Sequence, residues 1–441
     1  MAGDARGTIE RSFDALVVGG GAAGVAAAVT AARAGLSVCL IERYGFCGGG
    51  AVAGLSGTIC GLYEASDDNG AAPRKVVHGF VDEFIFELER RGGLTAPVRY
   101  GKTFTRVHDP LVWRETADKL LADSGVEVLF HTTVTGVIKD GDRLLGVEAY
   151  SKEGTLRLRA GITIDASGDA DVVAMAGLGS FIGADGQVQN PTMIFRLMGV
   201  DTDRLFDTYG KDTIMPAEVT DMIAAQNHAG RYSLPRTKIW LFPPNELLCN
   251  CTRIIGSDGR ALNTLHARDF TEAEVLGRRQ VREYARFFRD HVTGCERSFV
   301  NDTGVQVGVR QTRQGLGRYV LKNEDVVTGA KFSDGIARSP WPIELHAGEK
   351  PRVHWLLNDF YEVPYRCFVP EHGEGLLFAG RCLSAEHEAV ASARVTAQCF
   401  SYGQAIGHAA SIAVDEQIPA SSIEGSRIRT GLNRMGARLD E

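Results

Sequence analysis

The chain has 441 residues, 44% hydrophobic and 23% charged, with a formal net charge of −7 and 52 glycines. This describes a folded protein of two or three domains and excludes a disordered chain. A mildly acidic balance without a long basic run excludes a nucleic-acid-wrapping surface, and no apolar run reaches the ~20 residues of a membrane span. Residues 1–11 carry Asp4 and Glu10 and no apolar stretch, so no secretion signal is expected. Nine scattered cysteines suit a reducing cytoplasm better than a disulfide framework.

The first element is the clearest. Asp14–Val18 is a short apolar run fit for a buried parallel strand, followed by Gly19-Gly-Gly21-Ala-Ala-Gly24 and an alanine-rich helix to Arg33. A second buried strand, Leu36–Ile41, ends in Glu42. Strand, GxGxxG, helix, strand and acid in this order form a dinucleotide-binding unit. Gly19 makes the turn, Gly21 lets the backbone approach a pyrophosphate, and Gly24 lets helix and strand pack closely. Ala22 and Ala23 open the helix, whose free N–H groups and dipole face the phosphates. Glu42 stands where an acid can hold both hydroxyls of a ribose, with Arg43 beside it. The second glycine cluster, reaching Gly48, Gly49 and Gly50, is superfluous for NAD and suits the diphosphate and ribityl chain of FAD.

Helices are expected from Val77 to Gly92 and from Asp109-Pro110, an N-cap followed by proline, to Gly125. Residues 126–160 read as short strands with a hairpin at Asp140-Gly141. Ile162–Asp169 is another buried strand with a glycine turn, which puts Gly168 and Asp169 on the ligand side of the sheet. Residues 178–360 lack the βαβ rhythm and read as an inserted α+β substrate domain, or cap. A helix is expected there from Thr271, with Glu274 completing a capping box, to about His291. The first pattern returns at Leu376–Ala379, followed by Gly380 and Arg381. A small-residue helix runs from about Ser392 to Ala413, and the arginine-bearing last twenty-odd residues read as a tail or docking arm. The nucleotide domain is thus discontinuous, 1–177 and 361–441.

The ordered pieces carry a resemblance. They are Val17-Val-Gly-Gly-Gly-Ala-Ala-Gly24, Glu42-Arg-Tyr-Gly-Phe-Cys-Gly-Gly49, Ile164-Asp-Ala-Ser-Gly-Asp-Ala-Asp171 and Gly308-Val-Arg-Gln-Thr-Arg313. Tyr361-Glu-Val-Pro-Tyr-Arg366, Leu376-Leu-Phe-Ala-Gly-Arg-Cys382 and Gly403-Gln-Ala-Ile-Gly407 complete the set. Together they resemble the FAD-dependent oxidoreductases of the glutathione-reductase-like superfamily, and more narrowly a bacterial group distantly similar to fumarate reductase and heterodisulfide reductase flavoproteins. The resemblance implies an α/β fold: a Rossmann-type FAD domain of parallel sheet and helices with a small antiparallel sheet, plus the cap. It further implies that Val134 meets the adenine through its backbone, with Ser167 and Gly168 nearby. Gly380 and Arg381 would approach the ribityl–phosphate side, and the start of the last helix, around Arg394 and Val395, would face the flavin C2 carbonyl. The closely spaced cysteines that hold iron–sulfur clusters in neighbouring groups are lacking, so no metal is expected. Cys47 is either a covalent flavin anchor or a small buried hydrophobe.

A flavin that accepts hydride needs a base for the accompanying proton. His346, in a proline-containing stretch with Glu344 two residues away, is the first candidate; an ordinary histidine is the alternative. Arg310 and Arg313 are either a carboxylate clamp or a solvated pair. Tyr365 and Arg366, at the expected domain junction, and His387, after the glycine–arginine turn, complete the catalytic candidates. With no second GxGxxG unit, reoxidation falls to oxygen, a carrier partner or a soluble acceptor. The expected activity is that of a dehydrogenase or oxidase for a small polar metabolite, an acid or amine. A flavin monooxygenase and a flavin subunit of an electron-transfer complex are the alternatives. A homodimer is the default assembly.

Overall fold

The structure is a computed structural model that describes residues 8–235, 239–242, 246–346 and 352–441. Its central sheet orders the strands Glu127–Leu129, Val38–Ile41, Ile9–Val18, Gly154–Asp165 and Leu376–Phe378, all parallel. The strand Gly154–Asp165 is shared. Its first half pairs antiparallel with Arg143–Ser151, which forms a hairpin with Thr133–Asp140, and its last three residues pair with Leu376–Phe378.

Continuous apolar strands follow from cover on both faces. Ala15 and Val17 enter the core under the helices, while Leu16 and Val18 enter the core under the antiparallel strands. The glycine-motif helix, Ala22–Arg33, and the long helix Thr396–Asp415 pack together on the first face. A Cβ on Gly403 would lie 2.1 Å from the carbonyl oxygen of Ala23, so only glycine permits this approach.

A second core lies between Met193 and Val307. There a four-stranded antiparallel sheet, ordered Ile239–Leu241, Leu247–Asn250, Phe195–Met198 and Phe299–Thr303, packs with the helix Ala267–His291. Residues 308–360 instead send Leu321, Ile336, Ala337 and Leu345 into the first core. This segment joins the two cores.

Three local expectations differ from the fold. The cap helix starts at Ala267, not Thr271; Glu274 is no capping partner but accepts from the Val307 N–H at 2.7 Å. The small-residue helix is two helices, His387–Ala393 and Thr396–Asp415, broken at Arg394 and Val395. The carboxyl-terminal arginines belong to a packed helix, Gly425–Arg434, with Ile428 and Leu432 buried. Arg429 there pairs with the buried Glu362 at 3.0 Å, so the segment is neither tail nor arm.

Candidate active site

A cleft of ≈ 370 Å³ runs from the glycine motif to the cap. At its first end the helix Ala22–Arg33 has no side-chain cap and no acidic residue in its first turn. Its leading N–H groups therefore face the cleft wall formed by Gly19, Gly21, Ala22 and Ala23, an anion-binding arrangement. Gly24 does not line the cleft; a Cβ there would lie 1.8 Å from the Gly19 carbonyl oxygen, so it serves the turn. Glu42 is buried, with Oε2 accepting from Gly20 N–H at 2.7 Å and Oε1 from Tyr44 N–H at 2.9 Å. Burial pushes its pKa up, and the two N–H donors oppose the shift. A carboxylate has about four acceptor positions, so both oxygens keep capacity for a diol.

Gly48, Gly49, Val134, Ser167 and Gly168 continue the wall, with Arg43 at its edge donating to Gln306 Oε1 at 2.8 Å. Asp169 stands behind. Burial disfavours its charge, but Arg381 at 2.9 Å and the Thr312 hydroxyl at 2.5 Å outweigh this and hold it below the usual range. Gly380 and Arg381 line the middle of the cleft. Arg394 and Val395 line it where the break between the last helices aims the uncapped N-terminus of Thr396–Asp415 inward. Cys47 is wholly buried against Gly20, off the cleft wall, as a small hydrophobe.

The other end holds titratable groups. Ile343–Leu345 is an extended strand. Glu344 and His346 therefore point the same way, and Glu344 Oε1 lies 3.5 Å from His346 Nε2. The Tyr100 hydroxyl donates to Glu344 at 3.1 Å, and its ring packs on Trp341 with centroids 5.1 Å apart. His346 is 4% exposed and its Nδ1 has no hydrogen-bond partner among the described residues. Burial, then Arg310, Arg394 and Arg253, hold its pKa well below the usual histidine value. This environment favours the neutral imidazole of His346.

The remaining candidates stand off the cleft wall. Arg313 pairs with Asp171 at 2.7 Å, and Arg366 with Asp334 at 2.8 Å. The Tyr365 hydroxyl donates to the Ala420 carbonyl at 2.9 Å. His387 is half-buried beside Gly183. Tyr100, Trp341, Asn250 and Gln306 line the cleft without having been singled out in the sequence. They come from separate elements, and no local pattern marks them.

A dinucleotide-binding Rossmann sheet, a second glycine turn and a cap closing over one cleft define the chain as a flavoprotein. The model of the family described as FAD dependent oxidoreductase matches residues 14–432, and the chain belongs to that family. FAD is its cofactor, and the glycine wall, the uncapped helix and Glu42 fit that group. Among curated relatives, a digeranylgeranylglycerophospholipid reductase of Methanoculleus marisnigri is 28% identical over 275 residues, 60% of this chain and 61% of that one. The reductase of that name from Methanospirillum hungatei is 26% identical over 289 residues, covering 61% and 63%. The chain thus spans about three fifths of the length of these relatives. A geranylgeranyl bacteriochlorophyll reductase-like structure from Thermoplasma acidophilum superposes with a TM-score of 0.51 at 16% identity. It covers 98% of this chain and 89% of that one, which shows the fold.

Proposed function

We propose that this FAD-dependent oxidoreductase is a dehydrogenase or oxidase that oxidises a small polar metabolite, an acid or amine. The observation that carries the reading is His346 on the wall of the cofactor cleft, its Nδ1 without a partner among the described residues. FAD supplies the hydride acceptor. Glu344 faces Nε2, which fixes the ring proton there and leaves the Nδ1 lone pair for the proton released by the substrate. Glu344, fixed by Tyr100, then faces the imidazolium that forms. The cap, whose core lies within 178–360, covers this end and limits water. Oxygen or another acceptor entering the cleft completes the cycle.

The relatives' names describe reduction of isoprenoid lipids. Here the inner end of the cleft presents Arg310, Glu344, His346 and Arg394, which a hydrocarbon chain would desolvate without compensation. A polar substrate fits this lining.

The test is anaerobic. Small organic acids and amines are mixed with the holoprotein without oxygen, and the 450 nm flavin band is followed. Bleaching by one of them without added reductant is expected. Bleaching only with an external reductant would replace this reading with a monooxygenase.

A further inference from the structure

The inner end of the cleft carries more positive charge than the described residues balance. Several partly buried arginines near the cofactor cleft or in the core have carboxylate partners: Arg381 with Asp169, Arg313 with Asp171, and Arg429 with Glu362. Around His346 the pattern changes. Among the described residues Arg310, 6% exposed, donates only to neutral oxygens, the Asn190 carbonyl at 2.7 Å and Asn250 Oδ1 at 3.4 Å. Arg394 donates to Gln189 Oε1 at 3.1 Å, and its Nε has no hydrogen-bond partner among the described residues. Arg253 is 2% exposed, and all three of its guanidinium nitrogens lack a hydrogen-bond partner among the described residues.

Arg310 and Arg394 both act on one carboxyl group, Glu344, which the Tyr100 hydroxyl already engages and which lies 3.5 Å from His346 Nε2. All three arginines bear on His346, and Arg394 and Arg253 bear on Arg310. Burial and Arg394 pull the Arg310 pKa down to about 9, and Arg394 falls to about 10, so both stay charged at neutral pH. An uncompensated buried charge is costly, and such violations concentrate where a ligand supplies the missing group.

We infer that the substrate is a small organic acid whose carboxylate is seated on Arg310 and Arg394, with Arg253 behind them as a third positive charge. This rests on the proposed oxidation and selects the acid over the amine. A planar guanidinium offers paired donors that match the two oxygens of a carboxylate. The carboxylate supplies the negative charge that the cluster lacks, and His346 Nδ1 stands beside the site with its lone pair unused. An ammonium group there would face three positive charges.

The probes are malonate, its neutral counterpart malonamide, and inorganic phosphate. Each is titrated into the holoprotein while both the flavin absorbance and the melting temperature are recorded. Malonate is expected to perturb the flavin band saturably and to raise the melting temperature, and malonamide to do neither. R310Q and R253M are each expected to weaken malonate binding by roughly tenfold or more, the loss of one charged contact. R253M should retain FAD and melt no lower than wild type, because it removes an unpaired charge; a structural arginine would lower the melting temperature. Equal binding of malonamide, tighter binding of phosphate, or unchanged malonate affinity in both variants would overturn the inference. The 450 nm band reports FAD independently, and anaerobic bleaching by an amine would leave the oxidoreductase reading standing while removing the acid.

Discussion

His346 is held below the usual histidine pKa by its surroundings: burial first, then the charges of Arg310, Arg394 and Arg253. Its folded pKa lies below 6.5, so the proton-accepting form persists through neutrality and is lost only as the pH falls further. Substrate reduction of the flavin should therefore be flat across pH 7–8, with its acid limb below 6.5. H346Q should slow that step by about 10²–10⁴-fold, abolish the limb and leave FAD content unchanged, read by anaerobic stopped flow. His346 was legible because an extended, proline-containing stretch sets Glu344 on the same side. Tyr100 and Arg253 were not, since their proximity to His346 arises from chain folding across more than 90 residues of separation. Arg313 shows the converse. It sits three residues from Arg310 in sequence, yet does not line the cleft and instead pairs with Asp171, which does.

Two helices line the cofactor cleft, and glycine sets the distance between them. Gly403 meets the Ala23 carbonyl and Gly407 the Ala27 carbonyl, while Ala23 also lines the cleft. Gly403→Val would force the pair apart, at a cost of about 1–3 kcal/mol. Because the displaced helix end carries the phosphate-facing N–H groups, this variant should also purify with less FAD. Urea midpoints and the ratio of absorbance at 450 to 280 nm check both effects. At this scale the sequence was readable wherever spacing mirrors geometry, as in the glycine motif and in Asp109, which accepts from Leu111 and Val112 N–H as an N-cap should. It misled where a local pattern was borrowed for another use. Thr271 and Glu274 have capping-box spacing, but Thr271 lies inside the helix and Glu274 reaches across to Val307. The break at Arg394 and Val395 left no signal, since neither helix beside it has a side-chain cap.

The molecule as a whole is tied together from its far end. Arg429, on the last helix, donates to Glu362 and to the Gly335 carbonyl, and Glu362 also accepts from the Phe332 N–H at 2.9 Å. Arg429→Met would leave Glu362 buried without its cation, a loss of about 3–5 kcal/mol, and the double variant R429M/E362M should recover much of it. Denaturation midpoints of the single and double variants decide this. The docking was hidden in the sequence because Ile428 and Leu432 alone form the buried stripe, too short to register as a period. The buried strands around the glycine motif and the return of the strand at Leu376 were plain. That return has a consequence for synthesis. When residues 8–165 have left the ribosome, Thr163, Ile164 and Asp165 lack the neighbour that arrives only with Leu376–Phe378, some two hundred residues later. The nascent chain therefore carries an open edge, a template for wrong partners, throughout translation of the cap. The helix Thr396–Asp415, whose uncapped start lines the cleft, is made later still, so the cleft is complete only once that helix has emerged. Slower elongation through the cap would prolong the exposed interval and lower the yield of holoprotein.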